Sequence, residues 1–350
     1  MKPSLVPFLR CPMSGQPLRL VDPRPAPGAA EILGGRLVSA SGREYRIDDG
    51  VPVLLDPDTF APGQAETRES FSEKWRRAPG YREDTKAHYV RWYLERYGHG
   101  DLDGLRRFLR PKQRILDAGT GHGRDAEMYA TQAPHASVFG LDLSAGIHVA
   151  YAGLHHLPNL HLVQADLTRL PFAPGLFDFV ACDQVIHHTP DTRLSFQALL
   201  RHLAPGGHVA IYVYKVKGPI REFCDDYIRE RTTRMSAEEC LRFSEAMTKL
   251  GKALSDLRVE IEVPEDIPLL EIRAGRHDLQ RFLYWNVFKM YWNDGMDWTS
   301  NVITNFDWYH PLHAHRHRPE EVRAWFDQEG VAIEHFDVVE SGISVLGRKA

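Results

Sequence analysis

Between residues 112 and 214 the apolar positions come in short runs separated by longer amphipathic stretches. Runs end at Asp117, Asp142 (Val138–Ser144), Asp166 (after Leu160–Ala165) and Asp183 (after Phe177–Cys182). A fifth, Val209–Tyr214, follows the turn Pro205-Gly206-Gly207. Short apolar runs bounded by turn residues read as buried strands, and Arg124–Thr131, after the first run, reads as a helix. Strands alternating with helices predict an α/β fold, a doubly wound parallel sheet. Four successive strands would then carry a carboxylate at their carboxyl ends, where open sheets bind ligands.

Glycines at 119, 121 and 123 separate the first strand from its helix. Glycine lets backbone approach a ligand closely. Asp142 lies 23 residues beyond Gly119, a spacing that suits a ribose diol held at the end of the second strand. A dinucleotide dehydrogenase shares the turn but usually lacks an acid just before the first glycine. The stretches LDAGTGHG (116–123), GLDLS (140–144), QADLTRLPF (164–172), FDFVACDQVIHH (177–188) and LLRHLAPGGHVAIYVY (199–214) together resemble the class I S-adenosylmethionine-dependent methyltransferases, of the type 11 kind. The resemblance implies a Rossmann-like, seven-stranded sheet whose last strand is antiparallel, with S-adenosyl-L-methionine as cofactor. It implies that Asp117, Gly119, Thr120, Gly121 and Gly123 approach the methionine part of the cofactor. Asp142, beside Leu143, would hold the ribose, and Asp166 with Leu167 would contact adenine. Asp183 and Gln184, followed by Val185, would floor the site. The missing final elements are expected late: a helix at Pro319–Glu329 and strands at Val331–Val339 and Ile343–Arg348.

The flanks divide the chain further. Residues 1–60 read as a small β-module with a Pro/Gly/Ala-rich loop at Pro23–Ala30. They resemble the Trm112-like zinc-ribbon modules found ahead of some methyltransferase domains, in a degenerate form. Only Cys11 remains, with Ser14 and Ser39 where thiolates would stand, so no metal is expected, because structural zinc wants four Cys or His ligands. Residues 65–110 read as helices, with Phe71–Trp75 resembling a lid segment that places Trp75 on the cofactor. Residues 111–214 and 319–350 form the expected core. Residues 215–318 form a helical insertion over the ligand edge, with helices at Arg221–Leu257 and Asp278–Asn293. The insertion ends in Asn305–His317, whose His310, His313, His315 and His317 read as a solvated or substrate-facing loop rather than a metal site. In an extended segment His313, His315 and His317 would share one side. Asp307, Tyr309 and His310 are its candidate polar groups for substrate, and the pair His187-His188 beyond Asp183 is another candidate.

Composition narrows the partners. The chain has 350 residues, 43% of them apolar and 26% charged, with net charge −4. That disfavours nucleic acid and anionic membrane as partners. Four cysteines without framework spacing fit a reducing compartment. With no signal-like start and no long apolar run, the cytoplasm is the expected location. The expected function is methyl transfer to a small molecule, with His187, Tyr309 and His310 as candidate catalytic groups, because a histidine titrates near neutral pH. RNA or protein methylation, and other S-adenosylmethionine chemistry such as cyclisation or aminocarboxypropyl transfer, stand as alternatives. The acceptor atom and the oligomeric state are left open.

Overall fold

The computed structural model describes residues 1–27 and 31–350. Strands β1 (Leu18–Pro25), β2 (Ile32–Ser39), β3 (Glu44–Asp48) and β4 (Val51–Leu54) form an antiparallel meander, followed by helices α1 (Gln64–Arg77), α2 (Tyr81–Arg96) and α3 (Leu102–Leu109). The core alternates β5 (Arg114–Ala118), α4 (Arg124–Gln132), β6 (Ser137–Asp142), α5 (Gly146–Leu154), β7 (Leu160–Ala165), β8 (Phe177–Cys182), α6 (Thr192–His202) and β9 (Leu203–Lys215). The insertion holds α7 (Pro219–Thr232), α8 (Ala237–Asp256), the hairpin β10 (Glu260–Val263) and β11 (Gly275–Asp278), then α9 (Leu279–Asn286), α10 (Trp298–Tyr309) and β12 (Arg316–His317). The chain closes with α11 (Pro319–Gln328), β13 (Val331–Val338) and β14 (Gly342–Lys349).

The main sheet runs β1-β2-β3-β4-β7-β6-β5-β8-β9-β14-β13, with β12 beside the end of β9. Strands β4 to β9 pair in parallel, and β14 runs antiparallel to both its neighbours. This is the α/β, Rossmann-like fold that the motifs imply. The order reverses at β5, so the crevice opens beyond the carboxyl ends of β5, β6 and β8. Neighbouring residues of each strand face opposite layers. Leu116, Phe139 and Val180 join one buried cluster with α6 and α11, while Ile115, Val138 and Phe179 join another with α3 and α4. Burial on both faces explains why these strands read as unbroken apolar runs.

Several local expectations differ from the fold. The N-terminal strands are not detached: β4 pairs in parallel with β7, Val53 opposite Gln164, and extends the core sheet. Pro23–Pro25 belong to β1, while residues 28–30 of the expected loop lie outside the described residues. The long helix at 221–257 is two helices, because Ser236 and Glu239 form a capping box that starts α8 afresh. The aromatic helix expected to reach Asn293 ends at Asn286. Asn305–Tyr309, expected to be part of a loop, is the last turn and a half of α10, which Asp297 starts by accepting from the Ser300 amide. Among the described residues no helix is long and apolar enough to cross a membrane.

Candidate functional site

The loop after β5 is shaped by its glycines. Gly119, Gly121 and Gly123 all have positive φ (+88°, +55° and +89°), which side-chain-bearing residues adopt at a cost. A Cβ at Gly119 would strike the Val185 side chain, and one at Gly121 would come within 2.8 Å of the Trp75 indole. Gly123 faces away, toward Leu154 and Ala150 of α5. The Gly119 and Thr120 amides donate to the Leu141 carbonyl at 2.7 and 2.9 Å, tying the loop to β6. Asp142, at the end of β6, accepts from the Gly121 amide at 2.8 Å, the Ser144 amide at 2.7 Å and the Ser144 hydroxyl at 2.6 Å. Burial raises its carboxyl pKa against these donors, and a carboxylate still has lone pairs for a diol.

Helices α1 and α2 roof the crevice. Gln64 donates to Asp166 at 2.8 Å. Trp75 packs on His122 with ring centres 4.3 Å apart. Arg96 of α2 forms a buried ion pair with Asp183, which also accepts from the Tyr97 hydroxyl at 2.8 Å and from the Gln184 amide at 3.0 Å. Gln184 itself sits at φ +60°, a strained backbone of the kind that clusters at functional sites. These elements enclose a cavity of about 1130 Å³, counting its open mouth. Gly119, Thr120, Gly121, Asp142, Leu143, Asp166, Leu167, Asp183, Gln184 and Trp75 all line it. Asp117 and Gly123 do not. Asp117 lies beneath the loop and accepts from the Thr120 hydroxyl at 2.6 Å; burial, then the charge of Asp125, push its carboxyl well above the usual range.

A second cavity of about 1030 Å³ on the same measure adjoins the first, and Tyr89, Gln184, Tyr214 and Asp307 line both. Asp307 pairs with Lys74 of α1 at 3.0 Å, while its other oxygen is buried without a partner. Burial works to raise its carboxyl, but Lys74, His188 and Lys289 hold it below the usual carboxylate range. His188 lines the first cavity, and its Nδ1 lies 2.7 Å from the His313 carbonyl. A carbonyl only accepts, so Nδ1 carries the proton and Nε2 of the neutral ring is an acceptor. Burial pushes its pKa down to about 4.

The three expected catalytic groups are placed elsewhere. His187 is fully buried, its ring 3.8 Å from that of Tyr214, and lines neither cavity. Tyr309 is fully buried with its hydroxyl donating to the Lys289 carbonyl at 2.5 Å, because the helical turn of α10 carries it into the insertion's own core. His310 bridges Ser70 at 2.8 Å and the Met235 carbonyl at 3.2 Å. Of the remaining histidines, His313 and His315 are half-buried and His317 is buried. His313 contacts the Pro62 carbonyl, the His315 amide donates to the His187 carbonyl, and His317 sits between Glu321 and Thr192. Among the described residues no three such side chains converge on a possible metal position. In the N-terminal strands Cys11 contacts the Tyr45 hydroxyl at 3.1 Å, and Ser39 bonds Ser41 at 2.9 Å. Gln64 and Lys74 had no sequence signal, since neither breaks the helical pattern of α1. His188 had one, the paired histidine beyond Asp183.

The donor set fits the cofactor that the motifs imply. The loop offers a cradle that any Cβ would obstruct, and acids stand at the ends of β6, β7 and β8. A methyltransferase domain family matches residues 116–211. Over 104 residues, 30% of the chain and 39% of the relative, the sequence is 36% identical to a trans-aconitate 2-methyltransferase of Deinococcus radiodurans. Over 129 residues, 36% of the chain and 47% of the relative, it is 36% identical to a phthiotriol/phenolphthiotriol dimycocerosates methyltransferase of Mycobacterium leprae. The chain thus spans less than half the length of these curated relatives. A solved S-adenosylmethionine-dependent methyltransferase of Mesorhizobium loti aligns with 71% of this chain and all of its own, at 17% identity and a TM-score of 0.41.

Proposed function

Starting from residues 116–211 as a class I methyltransferase domain with S-adenosylmethionine as its cofactor, we propose that the chain methylates a small-molecule acceptor held in the second cavity. The observation that carries this reading is the shared wall of Tyr89, Gln184, Tyr214 and Asp307. A molecule in the second cavity would touch the same four side chains that border the first. The two relatives above are named for trans-aconitate and for phthiotriol/phenolphthiotriol dimycocerosates, neither of them a nucleic acid or a protein, which supports a small-molecule acceptor. S-adenosylmethionine supplies a methyl group already activated on a sulfonium.

The chain's own task is then to bind, orient and dry the acceptor and to handle its proton. Alignment alone can supply roughly 7–11 kcal/mol. The unpartnered Asp307 oxygen suits an acceptor hydroxyl or amine as hydrogen-bond acceptor. The neutral His188 ring, oriented through the His313 carbonyl, would take the proton at Nε2. A positioned base of this kind contributes about 10²–10⁴-fold.

The test is to supply S-adenosylmethionine with a labelled methyl group to the protein alongside separated small-molecule, RNA and protein fractions of a cell lysate. Label should enter the small-molecule fraction, with one S-adenosylhomocysteine formed per methyl transferred. Label in RNA or protein would overturn the acceptor class. Methylthioadenosine in place of S-adenosylhomocysteine would overturn methyl transfer.

A further inference from the structure

The second cavity holds a charge that this reading does not use. Lys289, just beyond α9, lines it and is 7% exposed. Only its backbone is engaged: its amide donates to Asp225 and its carbonyl accepts from Tyr309. Its ammonium has no hydrogen-bond or ion-pair partner among the described residues, and lies 5.4 Å from the centre of the Trp308 ring. A buried ammonium without a counter-charge is costly. Burial pushes its pKa down to about 7 in spite of the nearby Asp307.

The charges around it do not supply the missing anion. Asp307 is matched by Lys74, and Asp225 by Arg221 at 2.5 Å. The remaining Lys, Arg and acidic side chains on the cavity walls are Arg91, Lys217 and Lys289, against Glu95, and burial lowers the pKa of Lys217 well below its ordinary value. Lys217 is also buried, donating to the carbonyls of Lys215 and Ser341 at 2.7 and 3.2 Å. The walls between these cations are aromatic, with Tyr89, Trp92, Tyr212, Tyr284 and Tyr291 among them. Such walls suit a planar ring, packed edge-on or offset.

We propose that the acceptor is an aromatic acid whose oxyanion, carboxylate or phosphate, seats against the Lys289 ammonium while its ring lies between the tyrosine and tryptophan walls. That this molecule is the methyl acceptor rests on the reading above; that the cavity binds aromatic oxyanions does not. The buried cation therefore sets which small molecules enter, and it does so remote from the cofactor loop.

The test is calorimetry on the full chain with 4-hydroxybenzoate, 2-naphthoate and phenyl phosphate, against methyl 4-hydroxybenzoate and 2-naphthol. It is run with and without S-adenosylhomocysteine, so that its outcome does not depend on methyl transfer. At least one acid should bind tenfold more tightly than the neutral compounds, and comparing phenyl phosphate with the carboxylates identifies the oxyanion. Lys289→Met should erase that preference, leave S-adenosylmethionine affinity unchanged and raise the melting temperature. Lys289→Arg should keep the preference. Acids binding no better than neutral compounds, or not at all, would overturn the proposal. So would a preference that survives in Lys289→Met, or a Lys289→Met chain that melts earlier than wild type, since the lysine would then be structural. Failure of the methyl-transfer reading would register separately, in the labelling experiment, as label in RNA or protein or as methylthioadenosine in place of S-adenosylhomocysteine.

Discussion

The roof helices are tied to the sheet by one buried charge pair, and cutting it should have a large and reciprocal effect. Arg96 is 1% exposed. Its guanidinium lies over the Trp92 ring at 3.7 Å and faces Tyr212 at 5.0 Å, and its Nε and Nη1 have no hydrogen-bond partner. Among the described residues Asp183 is thus its sole hydrogen-bonded counter-charge, and holds the guanidinium charged despite burial that works the other way. Asp183→Asn would leave that cation buried and unpaired, a loss of about 3–5 kcal/mol. Arg96→Met should cost a similar amount, because the Asp183 carboxylate would keep only the Tyr97 and Gln184 donors. The double variant removes both charges. It should be less destabilised than the sum of the singles by at least about 2 kcal/mol. Urea unfolding, followed in parallel by tryptophan fluorescence and far-ultraviolet circular dichroism, gives all four stabilities. Additive single effects, or singles within about 1 kcal/mol of wild type, would refute the idea that the pair clamps the roof.

Asp142→Ala should weaken S-adenosylmethionine binding at least tenfold in calorimetry, since a charge-assisted hydrogen bond is worth about 1.5–3 kcal/mol; unchanged affinity would refute the ribose assignment. His188→Asn should lower turnover tenfold or more with cofactor affinity unchanged, because it removes the ring that takes the proton. The same ring should make the fold acid-sensitive: its pKa is lowered to about 4, so the unfolded chain binds this proton first. Stability should fall as pH drops from about 6.5 toward 4, by up to about 3 kcal/mol for this group, and His188→Asn should flatten that part of the pH profile. His99 and His161, also held near 4 by burial, should add to the same slope. Tyr309→Phe should cost about 1 kcal/mol of stability through its lost bond to the Lys289 carbonyl, with turnover per folded molecule within twofold of wild type; a tenfold loss would return Tyr309 to the site.

Most of the lining of the first cavity was legible because it is local. Each strand end, from Asp117 to Asp183, lies next to its own turn in the chain, so an apolar run followed by an acid already states what stands at the sheet edge. Positive φ at Gly119 and Gly121 is written into residue type itself. Even there the side-chain roles were less legible than the positions. Asp183 lines the cavity as expected, yet its carboxylate is claimed by Arg96, 87 positions earlier. Tyr309 and His310 were misplaced for another local reason. Asp297 caps a helix whose 3.6-residue period turns Tyr309 inward, whereas reading the same residues as a loop left them free to face substrate.

The second cavity has no such local grammar. Its walls come from α2, the end of β9, α7, α9 and the segment beyond it, α10, and the loops that carry Gln184 and Ser341. They meet only because the insertion leaves at the end of β9 and returns through β12, where Arg316 pairs with Tyr214. Asp307 reaches both cavities through α10, and its partner Lys74 lies 233 positions away on α1. No sequence period connects them. An apolar or aromatic residue declares its burial by type, but a lysine does not. Lys289 reads as an ordinary surface cation in the run Trp285–Trp292 until the fold closes around it. On the proposed reading, specificity is a property of the insertion's packing, and changing the residues beyond α9 should change the acceptor without touching the strand ends.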